Sequence, residues 1–376
     1  MKKISLFKPF IGAEEVREVA KTLRSGWITL GPKTEEFELA FAIYVGTKHA
    51  VGLNSATAAL HLALVVSNVK RGDEVITPAL TFASTAEAAL IVGARPVFAD
   101  VDPRTLNIDP RSIEKKITKK TKAIIVVHYG GQPCDMDEIN KIGKKHGIPI
   151  IEDAAHAMGS TYKGKKIGGG ENIACFSFQA VKNLTTGDGG MITTNDASVN
   201  KRLRSLRWCG INKSTHERVT AGGYRWDYDI DEEGGFKYHM NDINAAIGIV
   251  QLKRLDAMNE KRRQIIAVYD AALKNSKTIR PVVQLPGRKT SPHNYCVLLK
   301  GYDREALISY LIDKGISTGV HYKPLYHHPR YKKFGSAQDT PITEAVWPEI
   351  LLLPLHPQLS VGDARRVVTA LLSFKA

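Results

Sequence analysis

Cysteine is scarce in this chain: Cys134, Cys175, Cys209 and Cys296 are the only four in 376 residues, and they stand far apart. Their spacing fits no metal-binding pattern. A chain of this size builds a core without a disulfide framework, so reduced thiols in a cytoplasmic protein are expected. No stretch approaches the ~18 uninterrupted apolar residues of a membrane span. The first residues, Met1-Lys2-Lys3-Ile4-Ser5-Leu6, lack the apolar core of a secretory signal. Repeats and low-complexity tracts are missing as well. Acidic residues are the scarcer charge, 38 against 53 basic ones, for a net charge of +15. That excess suits an anionic small molecule. The lysines fall on segments such as 115–120 and 141–146, which read as solvated helix faces. No nucleic-acid motif or aromatic-interleaved basic stripe accompanies them, so no nucleic-acid partner is expected.

What is present is an ordinary globular composition, 43% hydrophobic and 24% charged, long enough for two domains. Helix and strand signals alternate as a parallel α/β sheet demands. Apolar residues at helical spacing cover Ala13 to Arg24 and Ala56 to Val69. Strands are predicted over Glu74–Thr77, Pro96–Val101, Lys122–His128, the run into Asp153, and Met191–Thr194, with a charged helix around Asp135–Lys145. Glu217 to Gly235 reads as a long irregular loop that reaches a partner subunit or covers the site. A helix from about Asn241 to Lys274 then leads to a smaller domain. That domain holds a strand at Asn294–Leu299 and helices at Arg304–Lys314 and Val361–Ser373. The expected division is a large domain over residues 1–245 and a small one over 246–376.

Lys182 is the most informative residue. It follows the apolar run Phe176-Ser177-Phe178-Gln179-Ala180-Val181 and precedes Asn183-Leu184-Thr185-Thr186-Gly187-Asp188-Gly189-Gly190. A lysine so placed can be desolvated, which lowers its pKa toward the free amine that attacks carbonyls. The same pattern also describes a plain surface lysine before a glycine turn. Asp153 changes the balance. Ile148-Pro149-Ile150-Ile151-Glu152-Asp153 reads as a buried parallel strand ending in two acids, and ligands collect at such carboxyl ends. Adjacent strand residues face opposite ways, so only one of Glu152 and Asp153 can face a ligand there. A carboxylate in that place can hold a protonated pyridine nitrogen and keep its ring an electron sink. Asn54-Ser55-Ala56-Thr57 opens an Ala/Leu-rich helix, whose free N–H groups and hydroxyls make an anion site or, more simply, a good N-cap. Phe82, at the end of Asp73-Glu74-Val75-Ile76-Thr77-Pro78-Ala79-Leu80-Thr81, can stack on a planar ring or fill a core.

Taken together these segments resemble the DegT family. Ser55-Ala56-Thr57, Asp153-Ala154-Ala155-His156, Ser177-Phe178-Gln179 with Lys182, Gly187-Asp188-Gly189-Gly190 and Tyr238-His239-Met240-Asn241-Asp242-Ile243-Asn244-Ala245-Ala246 fall in that family's order. The similarity runs from Gly26-Trp27-Ile28-Thr29-Leu30-Gly31 to Leu353-Pro354-Leu355-His356-Pro357, nearly the whole chain. Such proteins are sugar-nucleotide aminotransferases that use pyridoxal 5'-phosphate (PLP). The resemblance implies a fold-type I transferase, α/β with a large, mostly parallel sheet domain and a smaller C-terminal α+β domain. It implies that Lys182 forms the internal aldimine and moves the proton, and that Asp153 pairs with the pyridine nitrogen. His156 would lie near the ring and its phenolic oxygen, and Phe82 would stack on the ring. Ser55, Ala56, Thr57 and Ser177 would hold the phosphate, with Lys237 reaching it from the other subunit of a homodimer. Trp27, Thr29, His321, Tyr322 and Tyr326 would border the sugar. Glutamate would be the amino donor and a nucleotide-linked keto-sugar, a 4-keto-6-deoxyhexose, the acceptor, in a ping-pong reaction within polysaccharide or O-antigen biosynthesis.

Three positions depart from the family's usual pattern. Ala56 replaces the middle glycine of the phosphate turn and so requires a backbone without positive φ. Lys237 stands where an asparagine is common. Pro324-Leu325-Tyr326 replaces a run ending in histidine, which is expected to bear on substrate choice. Two other functions share the fold. A sugar dehydratase that uses the aminated cofactor resembles this chain, but its close relatives carry histidine at the lysine position. A non-catalytic PLP-binding sensor would keep the fold and cofactor and signal through a partner, and no DNA-binding appendage or extra domain favours it.

Overall fold

The computed structural model describes residues 3–220, 228–230 and 234–374. The apolar runs become a sheet whose strands are β1 (His49–Leu53), β2 (Glu74–Pro78), β3 (Arg95–Ala99), β4 (Thr121–Val127) and β5 (Ile150–Asp153). Beyond a short hairpin of β6 (Thr161–Tyr162) and β7 (Lys165–Lys166) come β8 (Ile173–Ser177) and β9 (Gly190–Thr194). The seven long strands lie in the order β1-β9-β8-β5-β4-β2-β3. Only β9 opposes its neighbours; β2, β3, β4, β5 and β8 pair in parallel, and β1 shares their direction.

Parallel strands are buried on both faces, which is why these read as unbroken apolar runs. Ile125 and Ile151 pack on one face with Leu60 and Leu64 of the helix Ala56–Val66. Ile124, Val126 and Ile150 pack on the other with Ile139 and Ile142 of the helix Met136–His146. Each fully buried isoleucine or valine contributes roughly 1.5–3 kcal/mol before the cost of ordering the chain. The period-two alternation has one consequence for function. Asp153 falls on the Ile151 face, beneath the helix Ala56–Val66, whereas Glu152 falls on the Ile150 face. There the Glu152 carboxylate meets His128 Nε2 at 2.9 Å and accepts from Asn172 Nδ2 at 2.8 Å.

The 32-residue helix Asp242–Leu273 packs on the helices Ala13–Ser25 and Pro32–Val45. Its first residue, Asp242, accepts hydrogen bonds from the N–H groups of Gly31, Lys33 and Thr34. It thereby ties the long helix to the start of Pro32–Val45. The division drawn at residues 245 and 246 falls inside this helix. Beyond it, β10 (Ile279–Pro281), β12 (Tyr295–Leu299) and β13 (Ile350–Leu353) form an antiparallel sheet, with β11 (Arg288–Lys289) paired to the β6–β7 hairpin. The helices Arg304–Asp313 and Val361–Ser373 cover the three-stranded sheet through Leu307, Leu311, Val367 and Leu371. The expected loop over Glu217–Gly235 begins differently: Thr215–Thr220 is a helix, and Ile230 bridges to Ile211. Residues 221–227 and 231–233 of that loop lie outside the described residues. Among the described residues no helix is long and apolar enough to cross a membrane.

Candidate active site

Five of the six strands that share a direction deliver residues to one cavity of about 520 Å³. This is the carboxyl edge of an open α/β sheet, where the chain leaves each strand with its polar groups unspent. Into it come Ser55, Ala56 and Thr57 after β1, Phe82 after β2, Val127 at the end of β4, Asp153 and His156 at and after the end of β5, and Ser177 and Lys182 at and after the end of β8. His321 and Tyr322 close it from the C-terminal part of the chain.

Asp153 is only 6% exposed. Burial raises its pKa, opposed by hydrogen bonds and by the Lys182 charge. Its Oδ2 accepts from Thr85 Oγ1 at 2.8 Å and its Oδ1 from the Ala155 N–H at 3.2 Å, so the carboxylate is held from two sides. Lys182 is half-buried at the cavity wall. Desolvation brings its pKa down to about 8, and Asp153 partly resists that fall. An amine so tuned is substantially unprotonated at mildly basic pH.

The end of the cavity suited to an anion is made from backbone. Ser55 caps the helix Ala56–Val66, its Oγ accepting the Ala58 N–H at 3.1 Å. The N–H groups of Ala56 and Thr57 have no acceptor within the helix, and both residues line the cavity at the helix's positive end. Ala56 begins the helix and is not among the residues with positive φ, as a non-glycine at that position requires. The following loop reaches Ser55 through Gly190, where a Cβ would sit 2.4 Å from Ser55 backbone atoms. Gly187 supplies the turn with φ +85°. Thr57 Oγ1 lies 2.7 Å from Ser84 Oγ, which brings the start of the helix Ala83–Ile91 to the same spot.

His156 is 5% exposed, and its Nε2 is 3.2 Å from the Tyr322 hydroxyl. Among the described residues its Nδ1 has no partner, and neither does His321 Nδ1. Buried polar nitrogens left unpaired are costly, so a polar group belongs against them. Phe82 is 61% exposed at the edge, its ring 6.2 Å from that of Tyr322. An exposed aromatic over a polar cavity is what a flat ligand would cover.

Four expected residues lie elsewhere than this cavity. Lys237 is exposed, its ammonium 3.2 Å from the centroid of the Trp208 ring. Thr29 Oγ1 meets His239 Nε2 at 3.3 Å, and Trp27 stands edge-on to His216. Tyr326, expected to border the sugar, does not line this cavity. It is 4% exposed, packed with Phe98 and Leu325, and donates to Glu344 Oε2 at 2.9 Å. An apolar pocket under β2 and β3 takes its ring, and the carboxylate takes its hydroxyl. Conversely, Thr85, Ser84, Phe7 and His293, none of them expected from the sequence, line this cavity or hold its members. Thr85 stands three residues after Phe82, one helical turn on, and that spacing was the available signal.

These residues fit PLP. A carboxylate for the pyridine nitrogen, an amine for the aldehyde, N–H groups for the phosphate and unpaired imidazole nitrogens for polar substituents share one cavity. The fold with this cavity is that of the fold-type I PLP-dependent transferases. Residues 9–372 match the DegT/DnrJ/EryC1/StrS aminotransferase family, and the chain belongs to it. It is a PLP-dependent aminotransferase. The chain is 44% identical over 370 residues to the spore coat polysaccharide biosynthesis protein SpsC of Bacillus subtilis, covering 96% of this chain and 94% of that protein. The putative sugar aminotransferase Spr1654 from Streptococcus pneumoniae in its PMP form superposes with a TM-score of 0.91 at 36% identity, covering 98% of each chain. DesV of S. venezuelae, solved with a ketimine intermediate, gives 0.88 at 34%, covering 97% of this chain and 98% of that one.

Proposed function

We propose that this chain transfers an amino group from L-glutamate to a nucleotide-linked keto-sugar, a 4-keto-6-deoxyhexose, in two half-reactions at one site. The observation that carries the reading is the shared cavity of Lys182 and Asp153, each buried enough to perturb the other's ionisation. When bound, PLP supplies an aldehyde that captures amines and a ring that draws electrons from the adjoining carbon. Asp153, fixed by Thr85 and Ala155, would hold the proton at the ring nitrogen. Ser55, Ala56, Thr57 and Ser177 would bind the phosphate, His156 would meet the ring's oxygen, and Phe82 would lie on its face. Lys182 Nζ, once free, would accept the proton leaving the donor's α-carbon and deliver it to the adjoining cofactor carbon within the same half-reaction, and would move a proton in the reverse sense, to the sugar carbon, in the second. A tethered amine next to the reacting carbon replaces a diffusing base.

Net charge +15 supports an anionic sugar carrier such as a nucleoside diphosphate. His321 and Tyr322 are the side chains proposed to meet the sugar. Trp27, Thr29 and Lys237, away from the cavity of their own chain, are proposed to act across a homodimer, with Lys237 at the second copy's phosphate site. The protein is proposed to work in the cytoplasm, in assembly of a cell-surface polysaccharide or O-antigen. The test is a panel of UDP- and dTDP-linked keto-sugars with glutamate, read by amino-sugar product. If glutamate leaves the cofactor's spectrum unchanged, or no nucleotide sugar gains nitrogen, the reading fails.

A further inference from the structure

His293 lines the same cavity, 1% exposed, yet the roles above leave it idle. Its ring stacks with two others, that of His156 at 4.2 Å and that of Phe7 at 5.3 Å. Its edges are unequal. Nδ1 is 3.3 Å from Asn183 Oδ1, whereas Nε2 is buried without a partner among the described residues. Chemistry decides which end of Asn183 faces it. Asn183 Nδ2 is 3.2 Å from the Pro292 carbonyl, 3.3 Å from the Ser291 carbonyl and 2.9 Å from Asn259 Oδ1. Backbone carbonyls only accept, so the amide nitrogen must point at them and the oxygen at His293. Asn259 is oriented in the same manner, donating through Nδ2 to the Met158 carbonyl at 3.1 Å. Asn183 Oδ1 therefore requires a proton on His293 Nδ1. A neutral imidazole then carries a lone pair on Nε2. Burial holds the ring neutral, lowering its pKa well below the usual value, helped by the neighbouring His156 and Lys182.

We infer that His293 is a hydrogen-bond acceptor of fixed tautomer in the reactant cavity, its Nε2 lone pair receiving an N–H or O–H of the bound reactant. An unpaired acceptor in a site built for ligands is costly until a donor arrives, which makes it a selective contact. Two reactants could bring that donor: the ammonium of the amino acid or a hydroxyl of the sugar. The inference rests on the aminotransfer reading only for that choice. Because Asn183 directly follows Lys182, the tautomer is set by the same turn that places the reactive amine.

The test is nitrogen NMR of the holoenzyme with 15N-labelled histidine, the His293 signals identified by their loss in His293→Phe. The expected pattern is a protonated Nδ1 and a pyridine-like Nε2 that moves upfield when L-glutamate or a nucleotide amino-sugar fills the cavity. His293→Phe keeps the stack and removes the acceptor. It should raise KM about tenfold in the half-reaction whose reactant supplies the donor, the cost of one lost hydrogen bond, and leave the other unchanged. A protonated Nε2 or an imidazolium overturns the inference, as does an Nε2 that no reactant shifts. If a nucleotide amino-sugar shifts Nε2 while glutamate fails to convert the cofactor, the amino-donor assignment falls and the acceptor stands.

Discussion

Thr85 Oγ1 donates to Asp153 Oδ2 across 2.8 Å, joining the first turn of the helix after β2 to the last residue of β5. Its own Oγ1 lies 2.8 Å from Thr81 Oγ1, so the carboxylate is anchored through a short hydroxyl chain rather than by a salt bridge. Removing the hydroxyl by Thr85→Val should leave the fold intact and lower kcat several-fold, because one of two hydrogen bonds to Asp153 is lost. Asp153→Asn should cost at least about 10²-fold in proton abstraction with unchanged circular dichroism. Wild-type single-turnover rates in Asp153→Asn would contradict its assignment to the pyridine nitrogen.

Lys182→Ala should reduce turnover by about 10³-fold or more, since both amine capture and proton transfer are assigned to one nitrogen. Borohydride treatment followed by peptide mapping should find cofactor fixed at Lys182 in the wild type and at no residue in the variant. A cofactor-modified lysine elsewhere would refute the assignment.

Capture of PLP by the cofactor-free protein needs the unprotonated amine. Desolvation holds Lys182 near a pKa of about 8 instead of its usual 10.5. The capture rate measured by stopped-flow absorbance should therefore rise with pH through a midpoint near 8 and level above it. The same shift has a stability consequence with the opposite habit from a paired lysine. Between the folded and unfolded pKa values the unfolded chain binds the extra proton, so the destabilisation from burying this amine grows as pH falls toward 8.

Ser55→Ala removes the cap of the helix Ala56–Val66 and should cost about 1 kcal/mol of stability, read by denaturant unfolding. The same substitution should weaken PLP binding in equilibrium dialysis, since the helix start is the proposed phosphate site. Loss of stability with unchanged cofactor affinity would reduce Ser55 to a cap alone.

Tyr326→Phe deletes a hydroxyl bonded to Glu344, remote from the cavity. About 1 kcal/mol of stability should be lost, with KM for the sugar unaltered. A changed sugar preference would return Tyr326 to the substrate site.

Much of this protein was legible in the order of its residues. Continuous apolar runs ending in small or polar residues marked the parallel strands and their carboxyl ends. Local rules also told that Glu152 and Asp153 must face apart, and that Ala56 needs an ordinary helical backbone. These are properties of neighbours in the chain, set by strand pleat, helix capping and backbone sterics. What only the tertiary structure decided is which distant side chains meet. Thr85 against Asp153, His293 against His156 and Asn183, and Tyr326 against Glu344 lie 18 to 137 positions apart in the chain, beyond the reach of a local pattern. Their pairing depends on how the helices pack over the sheet and where the C-terminal part docks. No periodicity records that, because packing selects by shape and by the hydrogen bonds left unspent once water is excluded.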